Sequence, residues 1–191
     1  MSIDPNRIFR LDEQTVIVDD FPARGWILDV GGGGEAVIGQ LKTTQVIAID
    51  VFPRELAEAP AGPLKIVMDA RELKFLDCTF DTVTAFFSLM FIHPDDHERV
   101  FQEIFRVLTP GGRFLFWDVE IQPRPEPARD VMTFRLKVKL PYTVIETGYG
   151  TPYTEKQVTQ EEYIALAEKT GFQVVERDRA GQAFFCKFQK P

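Results

Sequence analysis

The stretch Ile27-Leu-Asp-Val-Gly-Gly-Gly-Gly-Glu-Ala36 joins an apolar strand pattern directly to four glycines and then to a helical pattern. Glycine adopts backbone angles that other residues resist, and it lets the chain approach a ligand closely. Nineteen residues after Gly31, Asp50 follows the next apolar run, where a carboxylate can accept hydrogen bonds from both hydroxyls of a ribose. The stretch therefore predicts a site for a ribose-bearing cofactor.

Around this stretch, apolar runs bounded by turn residues alternate with helical patterns, which is typical of a parallel α/β sheet. Two further strand patterns, 172–178 and 182–188, flank a short turn, so we expect the chain to end in an antiparallel hairpin. We predict five strands and four helices before that hairpin: strands over 26–30, 45–49, 64–68, 82–87 and 113–119, and helices over 35–41, 54–59, 94–108 and 159–170.

Composition favours one folded domain over residues 1–191, with 45% hydrophobic and 27% charged residues. The formal net charge of -7 argues against a nucleic-acid partner, because affinity for phosphate backbones comes from Lys and Arg. No apolar run approaches the length of a membrane span, and the N-terminus lacks the pattern of a secretory leader. We therefore expect a cytoplasmic protein without a membrane contact.

The glycine spacing alone does not separate two classes of cofactor. Gly31, Gly33 and Ala36 also fit the relaxed dinucleotide fingerprint, so an NAD(P)-dependent oxidoreductase is one alternative. Asp29, two residues before the first glycine, favours the other class, because its carboxylate can hold the cationic amino group of a methionine moiety. Together with Asp69-Ala70, the segment 108–112, in which 109–112 are predicted to form a turn before the fifth strand, and the terminal hairpin, these residues resemble the class I S-adenosylmethionine-dependent methyltransferase family, over residues 26–119 and 159–190.

This resemblance implies a Rossmann-like, doubly wound, seven-stranded mixed sheet of order 3-2-1-4-5-7-6, with S-adenosylmethionine as cofactor. Glu35 departs from the family pattern, which often has a third small residue there. The resemblance assigns cofactor contacts to nine positions: Asp29, Gly31 and Gly33 at the methionine end, Asp50 at the ribose, Val51, Asp69 and Ala70 at the adenine, and Phe87 and Ser88 beside the transferable methyl group. Asp69 has an alternative interpretation as a cap of the next turn, and Phe87 as a core residue.

The predicted activity is methyl transfer to a small-molecule acceptor; a non-catalytic S-adenosylmethionine-binding protein is a further alternative. Residues 85–90 lack the Pro-Pro-aromatic signature of the family's amide and nucleobase methylases. His93 follows the fourth strand, so it is a candidate general base; alternatively it only precedes the helix that begins at Pro94, and His97 is then a solvated helix residue. We predict no metal site.

Residues 131–153 form an insertion after the fifth strand, far longer than a usual connection. Its apolar residues alternate with basic ones, which predicts an inserted β-hairpin with a turn at Pro141-Tyr142 and a returning strand over 143–147. Since the fifth strand ends on the cofactor edge of the sheet, we expect the hairpin to cover the acceptor site. Tyr142, Tyr149 and Tyr153 are candidate substrate residues. Alternatively, the hairpin joins two copies in a homodimer.

Overall fold

A seven-stranded sheet forms the centre of the computed structural model, which describes residues 4–153 and 158–191. Its strands are β3 (Ile27–Val30), β4 (Val46–Asp50), β5 (Leu64–Val67), β6 (Phe80–Phe86), β7 (Leu108–Val119), β10 (Gln173–Ala180) and β11 (Ala183–Gln189). The sheet runs β5-β4-β3-β6-β7-β11-β10, which reads 3-2-1-4-5-7-6 when counted from β3. The pairs from β5 to β7 are parallel, and β11 is antiparallel to both of its neighbours. The predicted α/β Rossmann-like class is confirmed.

Among the described residues, four α-helices accompany this sheet: α1 (Val37–Lys42), α2 (Pro53–Glu58), α3 (His97–Val107) and α4 (Gln160–Thr170). The predicted helix 94–108 begins instead with a 3-10 turn over Pro94–Asp96 and becomes α-helical only at His97. At the start of α4, the Thr159 hydroxyl and the Glu162 carboxylate form a reciprocal capping box. None of the described helices is long and apolar enough to cross a bilayer.

Aromatic side chains fill the core between α3, α4 and the neighbouring strands. Phe101 of α3 lies edge-on to Phe114 and Phe116 of β7, with ring centroids 5.5 and 6.2 Å apart. Tyr163 of α4 packs against Phe116 at 4.8 Å. Such pairs stabilise a core beyond the burial of their area, so this packing holds α3 and α4 against β7, which pairs with β6.

The predicted insertion hairpin is confirmed as β8 (Val131–Lys139) and β9 (Val144–Pro152), although β9 extends beyond the expected end of its strand. Its apolar face is buried, as the period-two pattern required. Two strands that the sequence analysis missed, β1 (Ile8–Arg10) and β2 (Gln14–Ile17), pair in parallel with β8 and complete a second, four-stranded sheet. They were missed because three or four residues are too few for a periodic pattern.

Strand β7 begins at Leu108, earlier than the predicted residue 113. The residues expected to form a turn lie within the strand as a bend, where Gly111 has a φ of +77°. The Gly111 N–H donates to the Lys190 carbonyl, and the Lys190 N–H donates to Gly112. Backbone hydrogen bonds with Lys190 thus extend β7 through the residues that were expected to form a turn.

Candidate cofactor and acceptor site

The glycine loop is shaped by close approaches that a side chain would block. Gly31 has a φ of +73°, and a Cβ added there would lie 2.3 Å from the Cβ of Ser88. A Cβ on Gly33 would lie 2.6 Å from the Cβ of Glu55 and 2.9 Å from Oδ2 of Asp50. Contacts this short are prohibitive, so glycine is needed for the backbone to follow this path.

The loop borders a cavity of about 800 Å³ at the carboxyl ends of β3, β4 and β6. This is the edge of a parallel sheet where ligands bind in open α/β folds. Eleven of the sequence-predicted residues line it: Asp29, Gly31, Gly33, Asp50, Val51, Asp69, Ala70, Phe87, Ser88, His93 and, from the hairpin, Tyr149. The fold thus brings the predicted cofactor positions together in one place.

Backbone donors of the loop are largely used within the protein. The N–H groups of Gly31 and Gly32 both donate to the Ile49 carbonyl, at 2.8 and 3.0 Å, and the Gly34 N–H donates to Glu55. A dinucleotide pyrophosphate needs such donors at the start of a helix, but α1 begins only after Ala36, which has a left-handed φ of 45°. This geometry argues against the dinucleotide alternative.

Asp29 is a buried carboxylate, only 2% exposed, at the bottom of the cavity. Thr84 Oγ1 donates a 2.7 Å hydrogen bond to it. Burial raises the pKa of Asp29 to about 7; the Thr84 bond opposes this rise and the nearby Asp50 adds to it. A bound cation would stabilise the ionised form in such a place, so Asp29 suits the amino group of a methionine moiety.

Asp50 and Asp69 end neighbouring strands, but their carboxylates are engaged differently. Asp50 Oδ1 accepts a 2.9 Å bond from the Phe52 N–H, and Oδ2 lies towards Gly33. Asp69 accepts from the Arg71 N–H and guanidinium, which also binds Asp96. The Arg71 hydrogen bond lowers the pKa of Asp69. Asp69 therefore shapes its own turn, as the capping alternative expected, while still lining the cavity.

Phe87 and Ser88 follow β6 in a strained and fixed conformation. Phe87 has a φ of +48°, and its N–H donates to the Trp117 carbonyl at 2.8 Å. Ser88 Oγ donates to the Val30 carbonyl at 2.8 Å. Phe87 is 2% exposed, so it belongs to the core as well as to the wall of the cavity.

The two histidines differ in environment. His93 is exposed at the cavity, and its Nδ1 accepts from the Asp95 N–H at 3.3 Å, capping the 3-10 turn. His97 is buried rather than solvated: its Nε2 lies 3.1 Å from the Leu89 carbonyl and its ring stacks on Tyr163. Burial lowers the pKa of His97, so this side chain is a neutral core group.

Of the three candidate substrate tyrosines, only Tyr149 reaches the cavity. Its ring stacks on Phe87 with centroids 5.9 Å apart and lies edge-on to Phe91 at 6.2 Å. Tyr142 lies in the hairpin turn with 90% of its surface exposed. Tyr153 packs against Phe9 of β1. Neither Tyr142 nor Tyr153 is among the cavity's lining residues in the described part of the chain, so the structure gives no support for a substrate role of either.

Three residues of the site were missed in the sequence. Glu55 covers Gly33 from the first turn of α2, and Phe91 closes the aromatic side of the cavity. Asp118 is fully buried, accepts from the Met90 N–H at 3.1 Å and so holds the turn that carries Phe91. Of these three residues, only Asp118 had a feature in the sequence that could have identified it, namely its position near the end of a predicted strand. That feature is weak, because strand ends are often polar for other reasons.

Comparison with known proteins gives a match to a methyltransferase domain over residues 28–116. A ubiquinone/menaquinone biosynthesis C-methyltransferase of Desulfotalea psychrophila is 31% identical over 74% of this chain and 55% of its own length. A sterol 4-C-methyltransferase of Caenorhabditis elegans is 31% identical over 62% of this chain and 32% of its own. The chain thus spans about a third to somewhat over half of these relatives.

Solved structures share the fold at low sequence identity. A crystal structure of an S-adenosylmethionine-dependent methyltransferase from Methanosarcina mazei superposes with a TM-score of 0.63, at 20% identity, covering 89% of this chain and 94% of the other. One from Mesorhizobium loti gives 0.62 at 14% identity, with 89% and 94% coverage.

Proposed function

From the match to a methyltransferase domain and the cavity described above, we propose that the chain belongs to the class I S-adenosylmethionine-dependent methyltransferase family and transfers the methyl group of this cofactor to a small-molecule acceptor. The observation that carries the proposal is that buried Asp29, Asp50 and an aromatic wall line one and the same cavity. Incubation with methyl-labelled cofactor and a panel of phenols, quinols and sterols tests it: label should move to an extractable product. No transfer to any of them, with cofactor bound, would favour a binding protein.

The residues present fit the cofactor. Asp29, Gly31 and Gly33 would hold its methionine end and Asp50 its ribose, while Val51, Asp69 and Ala70 would border the adenine, with Phe87 and Ser88 beside the methyl group. The acidic lining suits a ligand with a sulfonium and an ammonium charge. When bound, the cofactor supplies an activated methyl group, so the chain's own task is to orient the acceptor and exclude water.

The acceptor that this site favours is apolar and flat. Phe86, Phe87, Phe91 and Tyr149 form one side of the cavity, and aromatic rings bind flat apolar groups by stacking and edge contacts. Relatives named for quinone and sterol methylation agree with this class. The hairpin β8–β9 would then serve as the acceptor-site cover, since Gly148 and Tyr149 line the cavity. A homodimer through the inserted hairpin and a cytoplasmic location stay predictions.

Cofactor binding should depend on pH through Asp29. Its pKa of about 7 means that the carboxylate is mostly ionised at pH 8 and mostly protonated at pH 6, and only the ionised form attracts an ammonium group. We expect S-adenosylhomocysteine to bind about tenfold more weakly at pH 6 than at pH 8, with release of a proton. Calorimetry in two buffers of different ionisation enthalpy measures both effects.

The Asp29→Asn variant is the control, because it keeps the size of the side chain but cannot ionise. It should bind weakly at both pH values and show no proton release. A wild-type affinity that is equal at pH 6 and pH 8 would contradict the placement of the ammonium group against Asp29.

We propose His93 as the general base for acceptors that must lose a proton. It lines the cavity, and its Nε2 is not the nitrogen that caps the 3-10 turn. His93→Asn keeps a good capping residue but removes the base, so turnover should fall about 100-fold while S-adenosylhomocysteine affinity stays within about twofold. Unchanged turnover would leave His93 with the capping role alone.

A further inference from the structure

Glu35 connects the glycine loop to the hairpin. Its carboxylate accepts hydrogen bonds from the hydroxyls of Thr147 and Tyr149, the latter at 3.1 Å. Both donors lie on β9, more than a hundred residues further along the chain, whereas Glu35 directly follows Gly34. A residue of the loop that would hold the cofactor's methionine end is therefore bonded to the strand that covers the acceptor side.

These two bonds also fix the ring of Tyr149. Burial is the main cause that raises the pKa of the Tyr149 hydroxyl, and the nearby Glu35 carboxylate raises it further. The hydroxyl therefore stays protonated and donates its hydrogen bond to Glu35. On its inner side the ring stacks on Phe87 with an interplanar angle of 19°. Phe87 is itself held by its backbone bond to Trp117. The ring is thus held at its hydroxyl end by Glu35 and at its face by Phe87.

Other contacts of the hairpin are independent of the glycine loop. Thr151 Oγ1 donates to the Met90 carbonyl at 2.7 Å. The buried side chains of β8 belong to the hydrophobic core. These contacts stabilise the hairpin and do not involve the loop that would bind the cofactor. Glu35, in contrast, links it to the residues that a cofactor would order.

We propose that Glu35 is a positioning residue that fastens the cover to the glycine loop, so that cofactor binding sets the position of the Tyr149 wall against which the acceptor packs. The inference rests on the proposed function, because it takes the loop as the cofactor-binding element. Coupling of this kind is reciprocal: a ligand that orders the loop stabilises the cover through Glu35, and an ordered cover favours the ligand. The third small residue typical of the family could make no such bond.

Amide hydrogen exchange of residues 144–152, measured with and without S-adenosylhomocysteine, tests this proposal. In the wild type, the ligand should slow exchange of this segment by about tenfold, the effect of strengthening one charge-assisted hydrogen bond. In Glu35→Ala the ligand should still bind, but it should slow exchange of the segment less than about twofold. Tyr149→Phe, which keeps the ring and removes one donor, should give an intermediate value.

Glu146→Ala is the matched control, because Glu146 lies on the same strand but pairs with Lys137 on the exposed side of the hairpin. It should keep the full ligand effect. A purely structural role of Glu35 would raise exchange equally with and without ligand, and that result would overturn the proposal, as would an unchanged ligand effect in Glu35→Ala. If Glu35→Ala does not fold, Glu35→Gln, which keeps one acceptor oxygen, takes its place with a partial loss expected.

The outcome separates this inference from the function on which it rests. If S-adenosylhomocysteine does not bind the wild type, the proposed function fails and the inference fails with it. If the ligand binds and protects residues around Gly31 and Asp50, but Glu35→Ala retains full protection of 144–152, only the inference is wrong.

Discussion

Replacement of Gly31 by alanine should reduce binding of S-adenosylhomocysteine by about 100-fold or more. The added Cβ would lie 2.3 Å from the Cβ of Ser88, and Ser88 cannot move freely because its hydroxyl is bonded to Val30. Relief of the overlap must displace the loop or the turn after β6, and overpacking of this kind costs about 1–3 kcal/mol. The φ of +73° adds about 1–2 kcal/mol of backbone strain for any residue with a Cβ.

Gly111→Ala separates these two contributions. Gly111 has a similar φ of +77°, but a Cβ there would meet nothing within 4 Å. Both variants carry the backbone strain, so both should lower the melting temperature, but only Gly31→Ala should lose the ligand. Equal affinity of the two folded variants in calorimetry would show that the glycine loop does not contact the cofactor.

The second large effect is expected for Asp50→Ala, which removes the proposed acceptor of both ribose hydroxyls. Hydrogen bonds to a charged group contribute about 1.5–3 kcal/mol, so affinity for S-adenosylhomocysteine should fall by about 10-fold to 150-fold. Since Phe52 would also lose its bond to Oδ1, the melting temperature must be measured alongside. Folding should survive, because that bond is on the surface.

Glu58→Ala is the control for Asp50→Ala. Glu58 also lines the cavity, and its removal changes the net charge by the same amount, but it lies on α2 and pairs with the exposed Arg54. It should leave affinity within about threefold, as expected for an exposed ion pair. A comparable loss in both variants would mean that Asp50 acts through general electrostatics rather than through the ribose.

The central sheet and much of the site could be predicted because their signals are local. The spacing from Gly31 to Asp50 spans the glycine loop, one helix and the next strand, and parallel pairing of β3 with β4 then places both residues at the same edge of the sheet. The hairpin could be predicted because its buried and exposed residues alternate over nine positions of β8.

The features of the fold and the site that could not be predicted depend on contacts between distant parts of the chain. The pairing of β1 and β2 with β8 and the burial of His97 come from tertiary neighbours that no local pattern contains. Glu35 could be identified as unusual in its motif, but its partners on β9 could not. Sequence periodicity identifies elements, whereas the partners of polar side chains depend on how those elements pack.

The most direct test of the account is calorimetric titration of the full chain with S-adenosylhomocysteine and, separately, with NADH. The internal use of the loop's N–H groups and the acidic lining of the cavity predict a saturable one-to-one interaction with S-adenosylhomocysteine and none with NADH at the same concentrations. Tighter binding of NADH, or no heat with S-adenosylhomocysteine, would contradict the account.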